Sequence, residues 1–174
     1  MDKQRLVQTA RALVAEGKGI LAADESSGTI KRRFDSINVE STEDNRRNYR
    51  EMLFRTAGVD EFISGVILFD ETIRQDAADG TSMVKVLSDR GIIPGIKVDK
   101  GTVPLPEASD ELVTEGLDGL RDRLKEYNDL GAGFTKWRAV ISIRDHPPTS
   151  YGLAATAPAL ARVEPRTASV RDRA

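Results

Sequence analysis

The sequence contains no cysteine, which excludes disulfides, thiolate catalysis and cysteine-based zinc sites. Histidine occurs once, at His146 in the polar segment DHPPTS, where a lone histidine is most often solvated. A zinc enzyme usually needs several histidine or carboxylate ligands, and the sequence shows no such set. We therefore expect a protein that works without a catalytic metal.

Long apolar runs and a strong net charge are also missing. No run approaches the roughly 20 residues of a membrane span, and the amphipathic, charged N-terminus is unlike a secretory signal. The formal net charge of −2 gives no reason to expect a nucleic-acid or membrane partner. With 174 residues, 39% of them hydrophobic, the chain is long enough for one domain with a sizeable core. These features predict a soluble cytoplasmic protein.

Apolar spacing predicts an opening helix followed by four strands that alternate with helices. The predicted strands cover residues 20–23, 64–69, 92–98 and 134–143, and the first of them is expected to be buried. Residues 101–115 contain two prolines and are predicted to form a loop, and a last helix near Ser150 is expected to kink or break at Pro158. Strands alternating with helices predict an α/β fold with a parallel sheet.

The last residues differ in character from the rest of the chain. Residues 163–174 have almost no apolar content and no periodicity, so they are predicted to be disordered. The ordered domain is accordingly expected to cover residues 1–162. No Gly-x-Gly-x-x-Gly follows the first strand, and the segment after it lacks the Gly-Lys-Ser/Thr ending of a P-loop, which disfavours a nucleotide-binding fold.

Ionisable residues occupy apolar strands where packing alone would not place them. They are Asp24, Lys97, Lys136 and Arg138. Buried charges are costly without partners, and the carboxyl ends of barrel strands open onto the active site. If the strands line a barrel, one carboxylate and three cations converge at its mouth, which suits a phosphorylated substrate. Structural ion pairs explain any one of them better, but function explains the four together better.

Other polar residues leave the choice between function and structure more open. Ser26, Ser27 and Thr29 could contact a phosphate at the start of the next helix, but they serve equally well as turn and capping residues. Arg46 lies in a charged helical segment and is interpreted as part of a solvated face, together with its neighbours. Glu71 is interpreted as a simple loop charge.

Several longer motifs resemble class I fructose-bisphosphate aldolases. They are LAADES at 21–26, DNRRNYR at 44–50, GVILFDET at 65–72, GIKVDKG at 95–101, EGLDGL at 115–120 and FTKWRAV at 134–140. The resemblance implies a (β/α)8 TIM barrel, of which residues 1–162 would form about the first four β/α units. It also implies a lyase that cleaves fructose 1,6-bisphosphate into dihydroxyacetone phosphate and glyceraldehyde 3-phosphate.

The same resemblance implies a role for each candidate residue. Asp24 would assist cleavage of the carbon–carbon bond, Lys97 would contact a substrate phosphate, and Lys136 and Arg138 would contact the substrate and tune the site. Ser26 and Thr29 would bind phosphate. The electron sink in this chemistry is an iminium formed by a lysine amine, so neither a metal nor another cofactor is implied.

The chain also departs from the family. A full barrel usually has about 250 residues, and the family's glutamate acid/base and Schiff-base lysine follow the region matched here. We expect a premature stop, a frameshift or a misassembled gene, and a chain that alone is a poor aldolase. The alternative is an inactive fragment that binds sugar phosphates or associates with full-length aldolase. Full-length family members are homotetramers, but the assembly of this chain stays open.

Overall fold

The computed structural model describes residues 3–108, 110–143 and 148–169, with side chains described as far as residue 163; His146 lies outside these residues. The helices are α1 (Lys3–Leu13), α2 (Ser27–Asp35), α3 (Glu43–Arg55), α4 (Val59–Phe62), α5 (Asp70–Ile73), α6 (Met83–Ser88), α7 (Leu120–Asp129) and α8 (Ser150–Ser169). The strands are β1 (Gly19–Ala23), β2 (Ile63–Leu68), β3 (Ile93–Lys97), β4 (Thr102–Pro104), β5 (Leu112–Thr114) and β6 (Phe134–Lys136).

Strands β1, β2, β3 and β6 form one sheet in that order. The pairs β1–β2 and β2–β3 are both parallel, with Ala23 opposite Leu68 and Leu68 opposite Ile96. Helices follow β1 and β2 directly along the chain, and the strands β4 and β5 lie between β3 and α7. The predicted α/β class and its parallel sheet are therefore confirmed.

The chain divides into two compact units. The sheet unit comprises Lys3–Lys97 and Tyr127–Thr135, and the hairpin unit comprises Val98–Glu126 together with the described residues from Lys136 onward. In the sheet unit, helices α2, α3 and α6 contribute fully buried apolar side chains, as do strands β2 and β3. This core includes Ile30, Phe54, Val66, Leu68, Met83, Leu87 and Ile96.

Two glycines on neighbouring strands make room for the ring of Phe134. A Cβ added to Gly95 would lie 2.3 Å from Phe134 Cζ, and one added to Gly65 would lie 3.1 Å from Phe134 Cε1. Because contacts this short force a neighbour to move, glycine is the residue that fits here. The ring thus packs directly on the backbone of β2 and β3.

The hairpin unit contains a feature that the sequence analysis missed. Within residues 101–115, where a loop is predicted, the strands β4 and β5 form an antiparallel pair with Val103 opposite Val113. Each strand has only three residues, and Pro104 lies at the end of its strand, where a missing N–H is tolerated. The buried Glu111 precedes β5 and accepts a hydrogen bond from Thr149 N (2.9 Å) just before α8.

Three further predictions need correction. Strand β6 ends at Lys136 instead of reaching residue 143, and residues 137–143 have no regular structure. Ile20 is 42% exposed, because β1 is an outer strand of its sheet. Helix α8 continues through Pro158, so the predicted break does not occur there.

Helix α8 also runs past the predicted domain boundary. The helix includes residues 163–169, and residues 170–174 lie outside those described. No change in secondary structure therefore marks residues 162 and 163. The division into a domain over residues 1–162 and a disordered tail over 163–174 stays a prediction.

Candidate functional site

Asp24 and Lys97 lie in one row at the carboxyl edge of the sheet. Ala23 lies opposite Leu68 and Leu68 lies opposite Ile96, and Asp24 and Lys97 are the residues that follow Ala23 and Ile96. Phe69 is the residue of the row between them. Residues in register on parallel strands point to the same face, and two strand spacings separate their backbones by about 10 Å. Both side chains are half-buried, so a small anionic molecule at this edge could contact both.

The turn after β1 places two hydroxyls beside this row. Ser26 is the N-cap of α2, but its side chain makes no capping hydrogen bond. Its Oγ lies 3.1 Å from Thr29 Oγ1 instead, while its carbonyl oxygen accepts hydrogen bonds from Thr29 N (2.9 Å) and Ile30 N (3.0 Å). The two hydroxyls therefore sit at the positive end of a helix, where an anion is favoured.

A buried arginine holds the peptide between Asp24 and Ser26. Arg50 on α3 is fully buried, and its Nη2 donates to the carbonyl oxygen of Glu25 at 2.7 Å. The Arg50 guanidinium also lies over the ring of Phe69, 5.8 Å from its centroid. The Glu25 side chain is only 8% exposed and pairs with Arg33. This support was not predicted from the sequence.

Glu71 at the start of α5 links two arginines of α3. Arg46 Nε donates to Glu71 Oε2 at 2.9 Å, and Arg50 Nη1 lies 3.4 Å from the same oxygen. The hydrogen bond from Arg46 holds the pKa of Glu71 below its ordinary value, despite partial burial. The same bond raises the pKa of Arg46. Burial lowers the pKa of Arg50, and the charges of Glu25 and Glu71 oppose that shift.

These contacts correct two interpretations made from the sequence. Arg46 is not part of a solvated face, since its side chain is 15% exposed, and Glu71 is an ion-pair partner instead of a simple loop charge. The sequence carried one signal, because Arg46 and Arg50 are four residues apart and therefore share one face of a helix. Their acidic partner lies 21 or more residues away along the chain, which no local pattern indicates.

Lys136 and Arg138 belong to the hairpin unit. The Lys136 carbonyl oxygen accepts a hydrogen bond from Val98 N (3.0 Å), and its side chain is half-buried. The Arg138 carbonyl oxygen accepts from Thr114 Oγ1 (2.6 Å), and Arg138 Nη2 lies 3.4 Å from Thr102 Oγ1. Arg138 is thus attached to the β4–β5 hairpin and does not share a strand with Lys136. The predicted convergence of all four charged residues stays a prediction.

Arg123 on α7 supports the same unit from within. Its Nη1 donates to the carbonyl oxygen of Val98 at 2.9 Å, and its Nη2 donates to that of Gly116. Asp99 is buried, and its Oδ1 accepts from Gly101 N at 3.1 Å. These side-chain hydrogen bonds therefore fix the backbone directly after β3, at Val98 and at Gly101.

Neither a metal-binding cluster nor a membrane-spanning helix occurs in the described part of the chain. No group of three or more acidic or histidine side chains there is placed to hold a metal ion. None of the helices in those residues combines the length and the apolar character that crossing a membrane requires.

Comparison with known proteins identifies relatives for nearly the whole chain. A family model described as fructose-bisphosphate aldolase class-I matches residues 5–169. A probable fructose-bisphosphate aldolase class 1 of Xanthomonas campestris pv. campestris is 57% identical over 162 residues, which are 93% of this chain and 48% of the relative. Fructose-bisphosphate aldolase 1 of Toxoplasma gondii is 55% identical over 161 residues, 91% of this chain and 44% of the relative.

A solved structure is similar as well. Fructose-bisphosphate aldolase from Plasmodium falciparum, in complex with TRAP and a small molecule inhibitor, superposes with a TM-score of 0.93 at 50% identity. The match covers 97% of this chain and 49% of that one. The chain thus spans about half the length of the curated relatives it matches.

Proposed function

The chain belongs to the class-I fructose-bisphosphate aldolase family, and we propose that it takes part in the reversible cleavage of fructose 1,6-bisphosphate through a Schiff base. The products are dihydroxyacetone phosphate and glyceraldehyde 3-phosphate. The observation that carries the proposal is the row of Asp24 and Lys97 at the carboxyl edge of the sheet, beside the hydroxyls of Ser26 and Thr29. A carboxylate, an ammonium group and a helix N-terminus suit a phosphorylated sugar.

Each candidate residue has a proposed role in this chemistry. Asp24 assists breakage of the carbon–carbon bond, and Lys97, Ser26 and Thr29 bind phosphate. Lys136 and Arg138 are proposed to contact the substrate and tune the site. A lysine amine that forms an iminium with the substrate ketone supplies the electron sink, so the proposed reaction uses neither a metal nor another cofactor.

The proposed fold is about the first four β/α units of a (β/α)8 barrel. The parallel pairing and the strand order β1, β2, β3, β6 support it. So does the TM-score of 0.93 over about half of the Plasmodium falciparum chain. We also propose the cytoplasm as the location, because the matching family is termed glycolytic. Full-length family members are homotetramers, and the assembly of this chain stays open.

A second candidate function follows from the extent of the match, which is about half of each relative. In this alternative the chain binds sugar phosphates, or associates with full-length aldolase, without turning over substrate. The enzyme and the sugar-phosphate binder both predict preference for doubly phosphorylated sugars. Only the first predicts turnover and an iminium.

Binding and trapping experiments separate these candidates. The full chain is titrated with fructose 1,6-bisphosphate and with unphosphorylated fructose, and Lys97→Met is compared with the control Lys85→Met. Lys85 is exposed, and its Nζ pairs with Asp89, the C-cap of its helix, at 2.7 Å. We expect Lys97→Met to weaken fructose 1,6-bisphosphate binding at least about tenfold, as loss of a charged hydrogen bond implies. Lys85→Met is expected to change nothing.

Turnover and trapping then distinguish the two functions. The chain is incubated with dihydroxyacetone phosphate and reduced with borohydride, and the adduct is located by peptide mapping. A reduced adduct together with turnover supports the enzyme. Binding without an adduct supports the second candidate. If the chain binds fructose 1,6-bisphosphate no better than fructose, the enzyme and the sugar-phosphate binder are both wrong, and only association with full-length aldolase is left.

A further inference from the structure

We propose that Arg50 is a positioning residue that fixes the turn carrying Asp24 and Ser26 for the sugar phosphate. The proposal rests on the proposed function, because it assigns Arg50 to the site that binds that substrate. Arg50 itself lies behind the turn, on α3, and contacts the backbone of Glu25. It is therefore not a catalytic residue.

The first argument is where the Arg50 hydrogen bond falls. The Glu25 carbonyl belongs to the peptide unit that joins Glu25 to Ser26, directly after Asp24. Arg50 Nη2 donates to that oxygen at 2.7 Å. Fixing this one group restrains the carboxylate on one side and the hydroxyl on the other. The Ser26 carbonyl in turn accepts from Thr29 N and Ile30 N, so the restraint continues into α2.

The second argument is that one planar group joins the ends of two strands. Arg50 contacts the turn after β1 through Glu25 and the turn after β2 through Phe69 and Glu71. Only a guanidinium has donors in a fixed fork and a flat face that stacks on an aromatic ring. A lysine has one ammonium nitrogen and cannot meet the Glu25 carbonyl and Glu71 in this arrangement.

The third argument is that charge balance does not require Arg50. Glu71 is also paired with Arg46, which hydrogen-bonds it through two nitrogens. Removing Arg50 thus leaves no carboxylate without a cation at Glu71. Removing one partner of a buried ion pair is costly when the other charge is left buried and unpaired, and here Arg46 keeps Glu71 paired. We therefore expect Arg50→Met to fold, with a turn that is less restrained.

The test compares Arg50→Met and Arg50→Lys with the control Arg55→Met in the full chain. Arg55 lies on the same helix, but it is exposed and pairs with Glu51 and Asp79. Hydrogen exchange is measured at Thr29 N and Ile30 N, with Val86 N on α6 as the reference amide. Affinity for fructose 1,6-bisphosphate and the unfolding midpoint are measured on the same samples.

In both Arg50 variants we expect the amide hydrogens of Thr29 and Ile30 to exchange about tenfold faster relative to the reference amide. We also expect both variants to bind fructose 1,6-bisphosphate at least about tenfold more weakly, because the binding groups are misplaced. The control should match the parent chain in both respects. Failure of Arg50→Lys to restore the parent behaviour is part of the expectation, because charge alone is not what the turn needs.

Three results would overturn the positioning role. They are unchanged exchange at the turn in both variants, full restoration by lysine, and unfolding of both variants, which would assign Arg50 to stability. Failure of the proposed function looks different. In that case the parent chain itself does not prefer fructose 1,6-bisphosphate, while the exchange data still decide whether Arg50 fixes the turn.

Discussion

Substituting Gly95 by alanine tests the close packing of Phe134 on the sheet. The added Cβ would lie 2.3 Å from Phe134 Cζ and 2.5 Å from both Cε atoms. Ordinary carbon contacts are about 3.5–4.0 Å, so the ring must move by about 1 Å or more. Such overpacking costs about 1–3 kcal/mol, and the loss of glycine entropy in the unfolded chain returns about 0.5 kcal/mol. We expect Gly95→Ala to lower the free energy of unfolding by about 2 kcal/mol.

A double mutant makes the reasoning refutable. Phe134→Leu removes the three ring atoms that the new methyl would meet and, for a half-buried side chain, costs about 1 kcal/mol by itself. Additivity would then place Gly95→Ala with Phe134→Leu about 3 kcal/mol below the parent. We instead expect the double mutant to be about as stable as Phe134→Leu alone, because the clash is gone.

The assay is urea unfolding, followed by far-UV circular dichroism and by the fluorescence of the one tryptophan, Trp137. The free energy comes from linear extrapolation, and the slope is compared among variants to exclude a change in cooperativity. Gly19→Ala in β1 is the matched control, since its added Cβ would meet nothing within 4 Å. Additivity within about 0.5 kcal/mol would refute the packing argument.

Two further predictions concern the surroundings of the site. The hydrogen bond from Arg46 lowers the pKa of Glu71. The Glu71 carboxylate therefore stabilises the fold above a pH of about 4.3, and this contribution is lost as the pH falls toward the lowered pKa. Glu71→Gln should lose less stability than the parent chain on acidification, and equal pH slopes of the two in urea titrations would contradict this. Thr42 accepts a capping hydrogen bond from Asn45 N at 3.1 Å, whereas Ser26 accepts none. Thr42→Ala should cost about 1 kcal/mol of stability, whereas Ser26→Ala should weaken fructose 1,6-bisphosphate binding. Thermal melting and ligand titration measure the two effects, and the reverse pattern would show that Ser26 is the structural cap.

The first three strands were predictable because their signals are local. Short apolar runs bounded by glycines and charges predict strands at residues 20–23, 64–69 and 92–98, and β1, β2 and β3 follow within one or two residues. The same pattern places Asp24 at the end of the first predicted strand and Lys97 inside the third, and the register of the parallel sheet brings the two residues into one row.

The fourth predicted strand shows where a local signal misleads. The apolar residues of 134–143 continue beyond Lys136, but the strand does not, because a strand needs a hydrogen-bonded neighbour at every step. At Arg138 the carbonyl oxygen bonds to the Thr114 hydroxyl instead of a strand backbone. The β4–β5 pair was not predicted because no local signal marks its two short strands. Its partners, such as Val103 and Val113, are identified only by their pairing across a turn.

The buried Arg50 shows why the sequence did not predict which residues support the site. In DNRRNYR every charged residue fits a solvated helix face. The spacing puts Arg46 and Arg50 on one face, but nothing local shows that Arg50 is fully buried while Arg47 is not. The difference comes from Glu25 and Glu71, which reach Arg50 only after the chain has folded. A position that needed packing alone would accept methionine without the cost of burying a charge. The cost of burying the Arg50 charge is therefore best explained by the orientation of the turn. Its guanidinium holds the Glu25 peptide between Asp24 and Ser26, the two residues whose side chains are proposed to contact the substrate.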